Sequence, residues 1–529
     1  MKDRLVAKTT SGRVEGMDDR GTIAFKGIPF AAPPVGPLRF RPPQPPPSWD
    51  GVRRCHEPGP ACPQDSGLAS LRYRASEPKS EDCLYLNLWT PALDDARRPV
   101  LVFLHGGGYQ SGSGAVAVYN GAQFARHGAV LITCNYRLAL FGFLYLDELF
   151  KGFEGTGNLA ILDHIRVLEW IRENIAAFGG DPENVTVFGS SAGGISVGAL
   201  MASHRAKGLF RRAAPMSSGP GPARLPELAT RVAQRFLDIV DVRPGDTEAL
   251  LALPTARLVL IPESSSIPDR VQSEPRDSSL MRALREVAGG HPTQSVVDGI
   301  VLTKTPLEAV AGGSAAGVDL LAGCTTEELR GSFWKLTAPA PDPDLSAGAH
   351  AIPDEEKYDL AKLFDHNGHP LQEVRRVYSE SLLAAGRPVT DRDIYAAASS
   401  DGMIMRTIKF SEAQSLHHVG TYMYQFAWPS PAAGGLLGAF HGMATPFIFD
   451  NLHEDPSWEA VLGAAPPERI AAQFHGALVK FAATGKPGHE LLPEWPAYEV
   501  GRRATMRFDV ESRLVHDPER PRRLLHSSG

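Results

Sequence analysis

A serine set between glycines is the part of this sequence that most strongly indicates chemistry. Residues 189–193 read Gly-Ser-Ser-Ala-Gly, directly after the short apolar run Val185–Phe188 and before a segment typical of a helix. Glycines allow a sharp turn from strand to helix, and such a turn exposes the central side chain at the positive end of the helix dipole. Ser190 also carries a hydroxyl but lies off the centre of the turn. The pattern predicts that Ser191 is a nucleophile for acyl transfer.

Three consecutive glycines upstream of this serine suggest a site for a developing negative charge. His105 and Gly106–Gly108 directly follow the apolar run Val100–Leu104. Acyl transfer builds charge on the carbonyl oxygen, and glycines let backbone N–H groups come close enough to stabilise it. The residue after the nucleophile, Ala192, is the other usual donor. We therefore expect this loop and Ala192 to form an oxyanion hole.

A serine nucleophile of this kind requires a carboxylate and a histidine, which follow it in that order along the chain. Many carboxylates follow Ser191, and two stand out. Glu327 and Glu328 come shortly after the apolar run Asp319–Ala322, and α/β folds place catalytic groups at strand ends. These residues alone leave the choice between the two glutamates open.

Among the later histidines, His441 has the setting most typical of a catalytic base. It lies in a loop of small residues, 438–442, after the alternating segment Thr421–Phe426. His417 and His418 instead lie within a helical pattern, which favours a structural role. We therefore expect His441 to take the proton of Ser191.

The elements that position these residues follow from the hydrophobic periodicity. Apolar residues between Asn158 and Phe178 recur at steps of three and four, which indicates one face of a helix. Short apolar runs alternate with such helices after Leu84, which predicts an α/β fold with a mainly parallel central sheet covered by helices on both faces. Further strands are predicted at Val130–Cys134 and Ala213–Met216, and a closing helix at Pro467–Ala483.

The chain length fits this fold without a second domain. We expect one α/β domain over residues 1–529, because large α/β folds carry long insertions. Pro63–Ser80 and Thr337–Pro388 break the alternation and are expected to be lid-like insertions.

Composition excludes several classes of partner. The net charge of −6 is spread over the chain without a basic stripe, so we expect no nucleic-acid partner. No apolar stretch approaches the ~20 residues that span a bilayer, and no apolar run follows the basic residues at the N-terminus. We therefore expect a cytoplasmic protein without a membrane partner. The five cysteines match no zinc spacing, so no metal or other cofactor is expected.

Several blocks, in order along the chain, resemble the type B carboxylesterases, which include bacterial p-nitrobenzyl esterases and animal cholinesterases. The blocks are Gly27–Phe40, Glu81–Asn87, Asn135–Arg137 and Phe178–Gly193. The resemblance implies the α/β-hydrolase fold and hydrolysis of a small-molecule carboxylic ester through an acyl-enzyme.

The resemblance also assigns roles to particular residues. Residues 323–328 are similar to the family's acid loop, whose last carboxylate, Glu328, would be the acid, with Glu327 as the alternative. Residues 438–441 are similar to its base loop, which supports His441. The last two glycines of the oxyanion loop, Gly107 and Gly108, would donate to the oxyanion. Ser218 resembles a serine that supports the triad, although it could also be a plain turn hydroxyl.

The chain departs from the family pattern at a few positions. Ser190 stands where the animal enzymes usually have Glu, Ala160 and His164 replace a usual Gly and Gln, and Ala444 replaces a frequent acid. These changes bear on leaving-group preference and on local pH behaviour, not on the reaction class.

Two features that distinguish cholinesterases are missing here. Cholinesterases bind a quaternary ammonium through a Trp in the loop that their first cysteine pair closes and through the Glu before the nucleophile. Here the loop between Cys62 and Cys83, a pair that is bridged in secreted relatives, has Tyr73 as its one aromatic residue, and position 190 is uncharged. We therefore expect a preference for neutral esters.

Two alternatives are compatible with parts of the sequence. One is a specialised acyl hydrolase for amides, carbamates or a natural-product polyester. The other is a non-catalytic adhesion protein of the cholinesterase-like kind, which typically loses the nucleophile. Every catalytic position is filled here, which favours an enzyme.

Overall fold

The computed structural model describes residues 5–65, 75–260, 279–288, 291–336, 349–351 and 369–526. The chain forms two compact units, one of residues 1–214 and 220–318 and the other of residues 215–219 and 319–529. Tyr73 lies outside the described residues, as do residues 66–74, 337–348 and 352–368 of the two expected insertions. The single domain expected over residues 1–529 stays a prediction.

Sixteen strands occur in the described residues. Their bounds are β1 Val6–Lys8, β2 Arg13–Glu15, β3 Met17–Asp19, β4 Thr22–Pro29, β5 Val52–Arg54, β6 Tyr85–Thr90, β7 Arg98–Leu104, β8 Val130–Cys134, β9 Gly180–Ser190, β10 Arg212–Met216, β11 Asp319–Thr325, β12 Trp334–Leu336, β13 Ala349–Ala351, β14 Thr421–Phe426, β15 Ala504–Phe508 and β16 Arg513–His516.

Fourteen α-helices occur in the same ranges. Their bounds are α1 Ala122–Arg126, α2 Ala139–Phe143, α3 Leu159–Asn174, α4 Ala192–Ala202, α5 Pro226–Val240, α6 Thr247–Ala252, α7 Ser279–Ala288, α8 Pro306–Ala311, α9 Leu371–Ala384, α10 Asp391–Ser415, α11 Thr445–Phe449, α12 Pro456–Leu462, α13 Glu468–Thr484 and α14 Arg520–Leu525. None of the helices in the described parts of the chain combines the length and apolar character that a bilayer crossing requires.

The first unit is built around parallel strands. β7 lies between β8 and β9 and is parallel to both, while β6, β4 and β3 extend the sheet beyond β8 by antiparallel pairing. Every residue of β8 is buried, as expected for a strand with both faces covered. Helices α3 and α4 pack against β9. The predicted strands and the predicted helix after Asn158 are confirmed, and β9 extends the predicted Val185–Phe188 in both directions.

The second unit repeats this construction. β11, β14 and β15 are parallel neighbours, and β16 closes the edge by antiparallel pairing. Helix α10 packs against β11 and β14, and α13 packs against α11. The predicted strands at residues 319–322 and 421–426 and the closing helix are confirmed. The helical placement of His417 and His418 was wrong, because α10 ends at Ser415. Both residues follow the helix in a turn, in which their backbone N–H groups donate to the carbonyl of Gln414 in its last turn.

In each unit the candidate residues follow the carboxyl ends of parallel strands. The glycine loop 106–108 follows β7, and Ser191 follows β9. Glu328 follows β11 by three residues, and His441 lies in the loop after β14. This is the edge of an α/β sheet where ligands generally bind.

Candidate active site

Ser191 occupies a strained turn between a strand and a helix. β9 ends at Ser190 and α4 begins at Ala192, so Ser191 alone joins the two elements. Its backbone has φ 59° and ψ −123°, a region that residues with a Cβ rarely adopt. Ser191 is partly exposed, whereas Ser190 is 8% exposed. The predicted turn is confirmed, and Ser191 is the more exposed of the two serines.

The glycines on either side of Ser191 are required by close backbone contacts. A Cβ on Gly193 would lie 1.9 Å from the carbonyl oxygen of Leu104, and a Cβ on Gly189 would lie 2.6 Å from the carbonyl carbon of Gly193. Real Cβ atoms do not approach backbone atoms this closely. The glycines therefore let β9, α4 and the end of β7 meet beneath the serine.

The glycine loop lies directly against the serine. A Cβ on Gly106 would be 3.1 Å from the Cβ of Ser191. Gly107 and Gly108 have φ values of 114° and 62°, which favour glycine. The carbonyl of Gly107 accepts the N–H groups of Gln110 and Ser111, at 3.0 and 3.1 Å.

These bonds fix the direction of the donor groups. In a trans peptide the C=O and N–H point in opposite directions, so the N–H of Gly108 points away from the turn that holds the carbonyl of Gly107. The N–H of Ala192 lies in the first turn of α4, where the helix offers it no acceptor. Such N–H groups can hold an oxyanion.

Buried aromatic side chains support the start of this loop. The ring of His105 stacks on Tyr136, with centroids 4.4 Å apart, and Nδ1 of His105 donates to the carbonyl of Gly106 at 2.8 Å. The ring of His164 packs edge-on against Tyr136 at 4.5 Å. Burial lowers the pKa of His105 to about 4 and that of His164 to about 3. Pulled down by burial, these pKa values favour the neutral form of both imidazoles at ordinary pH. Within the described residues neither nitrogen of His164 has a hydrogen-bond partner.

In the second unit, the structure brings Glu328 and His441 together. Nδ1 of His441 lies 2.5 Å from Oε2 of Glu328, and the carboxylate is 1% exposed. Its other oxygen accepts the N–H of Thr325 at 2.7 Å, and the N–H of His441 bonds the carbonyl of Glu328 at 2.9 Å. A proton held on Nδ1 leaves Nε2 as the nitrogen able to accept another.

Glu327 faces other partners. One carboxylate oxygen accepts the N–H of Ala439 at 3.1 Å and pairs with Arg387 at 2.5 Å, and the other lies 3.5 Å from Nε of Arg330. The carboxylate that reaches the His441 imidazole is therefore that of Glu328.

Ser218 lies near β11, the strand that carries the acid loop. It follows β10, and the N–H of its neighbour Ser217 donates to the carbonyl of Gly323 at 2.8 Å. Its hydroxyl is buried without a hydrogen-bond partner among the described residues. A supporting role for Ser218 or Ser190 stays a prediction.

No group of three or more His, Cys, Asp or Glu side chains in the described ranges is placed to hold a metal ion. The first unit provides a partly exposed serine on a strained turn with backbone donors beside it, and the second unit provides a carboxylate–imidazole pair. These are the groups that acyl transfer to a serine uses.

Comparison with known proteins agrees with this chemistry. A family model described as the carboxylesterase family matches residues 3–523. The chain is 34% identical over 520 residues to para-nitrobenzyl esterase of Bacillus subtilis (strain 168), covering 98% of this chain and 97% of that protein. It is 31% identical over 536 residues to phenmedipham hydrolase of Pseudarthrobacter oxydans, with 98% of each chain covered.

Solved structures agree as well. A carboxylesterase of Geobacillus stearothermophilus has a TM-score of 0.80 at 37% identity, covering 98% of this chain and 99% of that chain. A thermophilic p-nitrobenzyl esterase has a TM-score of 0.80 at 32% identity and covers 99% of both chains. The chain therefore belongs to the type B carboxylesterase family, and it is a serine carboxylesterase with the α/β-hydrolase fold.

Proposed function

We propose that this carboxylesterase hydrolyses neutral carboxylic esters through an acyl-enzyme on Ser191, with His441 as the base and Glu328 as the acid. The observation that carries the proposal is the 2.5 Å contact between Glu328 and Nδ1 of His441. A buried carboxylate in this position holds the imidazole in one tautomer and stabilises its cation.

The reaction proceeds in two stages. Nε2 of His441 takes the proton of Ser191 as its oxygen attacks the ester carbonyl, and the protonated imidazole then gives that proton to the leaving alcohol. Water next attacks the acyl-enzyme, His441 takes one of its protons, and the carboxylic acid leaves as Ser191 regains its hydrogen. In both stages the N–H groups of Gly107, Gly108 and Ala192 hold the negative charge on the carbonyl oxygen.

The proposed preference for neutral esters depends on the surroundings of the nucleophile. Ser190, directly before Ser191, is buried and carries no charge, so it offers no anionic partner for a cationic leaving group. The proposed partner is a small-molecule ester and not a nucleic acid. The cytoplasmic location expected from the sequence stays a prediction.

A fluorophosphonate probe tests the assignment of the nucleophile, because it phosphonylates an activated serine. We expect peptide mapping to place a single label on Ser191 and Ser191→Ala to remove both the label and ester turnover. A label on Ser190 or Ser218 would refute the assignment.

A substrate panel tests the reaction class. It should contain p-nitrophenyl esters of graded chain length, matched amides and carbamates, and phenmedipham, since a similar chain is named for its hydrolysis. We expect the highest kcat/KM on the esters. Higher values on an amide or carbamate would favour the specialised acyl hydrolase instead.

A further inference from the structure

His441 lies on a loop that has little regular structure of its own. β14 ends at Phe426 and α11 begins at Thr445, and the chain between them is mostly irregular. An imidazole on such a segment needs partners outside it to stay aligned with Glu328. The structure supplies these partners from the acid loop, residues 323–328.

The acid loop and the base loop are joined by a short ladder of hydrogen bonds. The N–H of Glu327 donates to the carbonyl of Ala439 at 3.2 Å, and the N–H of His441 donates to the carbonyl of Glu328 at 2.9 Å. The Glu327 carboxylate adds a third bond by accepting the N–H of Ala439 at 3.1 Å. Glu327, which precedes Glu328, therefore holds the backbone of Ala439, two residues before His441, by two hydrogen bonds.

The contact between the Glu327 carboxylate and the base loop requires a glycine at position 438. Gly438 has φ 61°, and a Cβ there would lie 2.2 Å from Oε2 of Glu327. Glycine at this position lets the carboxylate reach the Ala439 N–H.

Two arginines lie against the Glu327 carboxylate, one three residues further along the chain and one 60 residues further. Arg330 lies within 3.5 Å of it, donates to the carbonyl of Leu436 at 2.7 Å and pairs with Asp393 at 2.9 Å. Arg387, between α9 and α10, pairs with it at 2.5 Å. The carboxylates of Glu327 and Asp393 and the guanidinium groups of Arg330 and Arg387 balance in formal charge, so the cluster adds no net charge beside Glu328.

We propose that Glu327, held by Arg330 and Arg387, is a positioning residue for His441, an inference that depends on the proposed role of His441 as the base. In this proposal Glu327 acts through the base loop and is not itself a catalytic residue. It fixes the base loop so that the imidazole keeps both its bond to Glu328 and its direction. Geometry matters at this level, because a displacement of about 1 Å in a catalytic group costs on the order of 10²-fold in rate.

The test compares Glu327→Ala with Glu327→Gln. Alanine removes the acceptor for Ala439, so we expect kcat to fall about 10- to 100-fold with KM within about twofold, and the rate of phosphonylation to fall in parallel. Glutamine keeps an amide oxygen in that place and should recover kcat to within about tenfold of wild type. The far-downfield NMR resonance of the proton between His441 and Glu328 should shift or broaden in the alanine variant and persist in the glutamine variant.

A second variant removes Arg387, the more exposed of the two arginines that pair with the Glu327 carboxylate. Arg387→Met should lower kcat several-fold with the melting temperature near that of wild type. The matched control is Arg375→Met, which breaks an exposed ion pair with Asp391, a pair that does not include the base loop. If Glu327→Ala does not fold, the comparison of these two arginine variants decides.

The outcomes separate this inference from the function on which it depends. If His441→Ala keeps its activity, the proposed base is wrong. If His441→Ala is inactive but Glu327→Ala has wild-type kcat, or Glu327→Gln is no better than alanine, or Arg387→Met matches Arg375→Met, the positioning role is wrong.

Discussion

The two adjacent glutamates of the acid loop should respond very differently to the same chemical change. Glu328→Gln replaces the buried acceptor of the His441 Nδ1–H by an amide and no longer stabilises the imidazolium, so kcat should fall on the order of 10³- to 10⁴-fold. Glu327→Gln should cost less than about tenfold, because its oxygen can still accept the Ala439 N–H. Steady-state kinetics on one p-nitrophenyl ester measures both. Equal, small losses would place the acid elsewhere.

His164 should limit stability in acid. Burial lowers its pKa to about 3, below the unfolded value near 6.5, so folding opposes its protonation. Its contribution to the free energy of unfolding is therefore complete above pH 6.5 and decreases as the pH falls from 6.5 towards 3.

His164→Gln removes this titration and restores the residue that similar enzymes usually have. We expect the acid-unfolding midpoint, followed by circular dichroism, to move about half a pH unit lower. His204→Gln, at an exposed position of the same unit, is the control and should leave the midpoint unchanged. An unchanged midpoint for His164→Gln would show that the buried imidazole does not set acid stability.

The strands and helices that carry the site were largely predictable, because their residues are buried in regular patterns. β8 matches its apolar run residue for residue, and α3 follows from its periodicity. Helix α10 was predicted only as a helical pattern around His417 and His418, without its bounds, although it is 25 residues long. Its sequence is rich in alanine, serine and charge, so its periodicity is weak.

The residues that hold the site in register were much harder to find from sequence. Ser191 and Gly193 belong to a local motif, so their spacing identifies them. Arg387 and Glu327 lie 60 positions apart and are joined only through the fold, and no short motif marks such a pair. The choice between Glu327 and Glu328 likewise depends on which side chain turns towards His441, and that direction is a property of the folded loop.

The segment between Cys62 and Cys83 offers a redox test. All five cysteines are buried thiols in this structure, and a side-chain hydrogen bond that the Cys83 thiol makes to neighbouring Cys62, together with burial, raises the pKa of the Cys83 thiol. Proximity and burial allow a bridge but keep the thiolate, the reactive form, scarce. We therefore expect the purified protein, assayed without added reductant, to titrate as five free thiols in denaturant. Three thiols, restored to five by reductant, would show that the two are bridged.

The charge of the whole chain cannot by itself select cationic substrates. A net charge of −6 spread over 529 residues is screened beyond about 8 Å at physiological ionic strength, so selection must come from groups close to the leaving alcohol. Ser190 supplies no charge there, and Tyr73 lies outside the described residues.

We expect butyrylcholine and its uncharged 3,3-dimethylbutyl isostere to be hydrolysed with similar kcat/KM. A preference for the cation above about tenfold, equivalent to ~1.4 kcal/mol, would contradict the neutral-ester proposal. The 3,3-dimethylbutyl ester matches butyrylcholine in shape, so the comparison isolates the effect of charge.

The backbone of Ser191 also has a consequence for the conformational stability of the enzyme. A residue with a Cβ at φ 59° and ψ −123° costs about 1–3 kcal/mol of conformational strain. The free energy of unfolding of Ser191→Gly, measured in urea, should therefore exceed that of Ser191→Ala by about 1 kcal/mol, after the extra chain entropy of glycine is deducted. Both variants lack the hydroxyl, so equal midpoints would show that the turn is unstrained. Because of this strain, a descendant released from selection for esterase activity would gain stability by replacing Ser191 with glycine. In such a lineage, loss of this serine is favoured by the gain in conformational stability as well as by the absence of selection for activity.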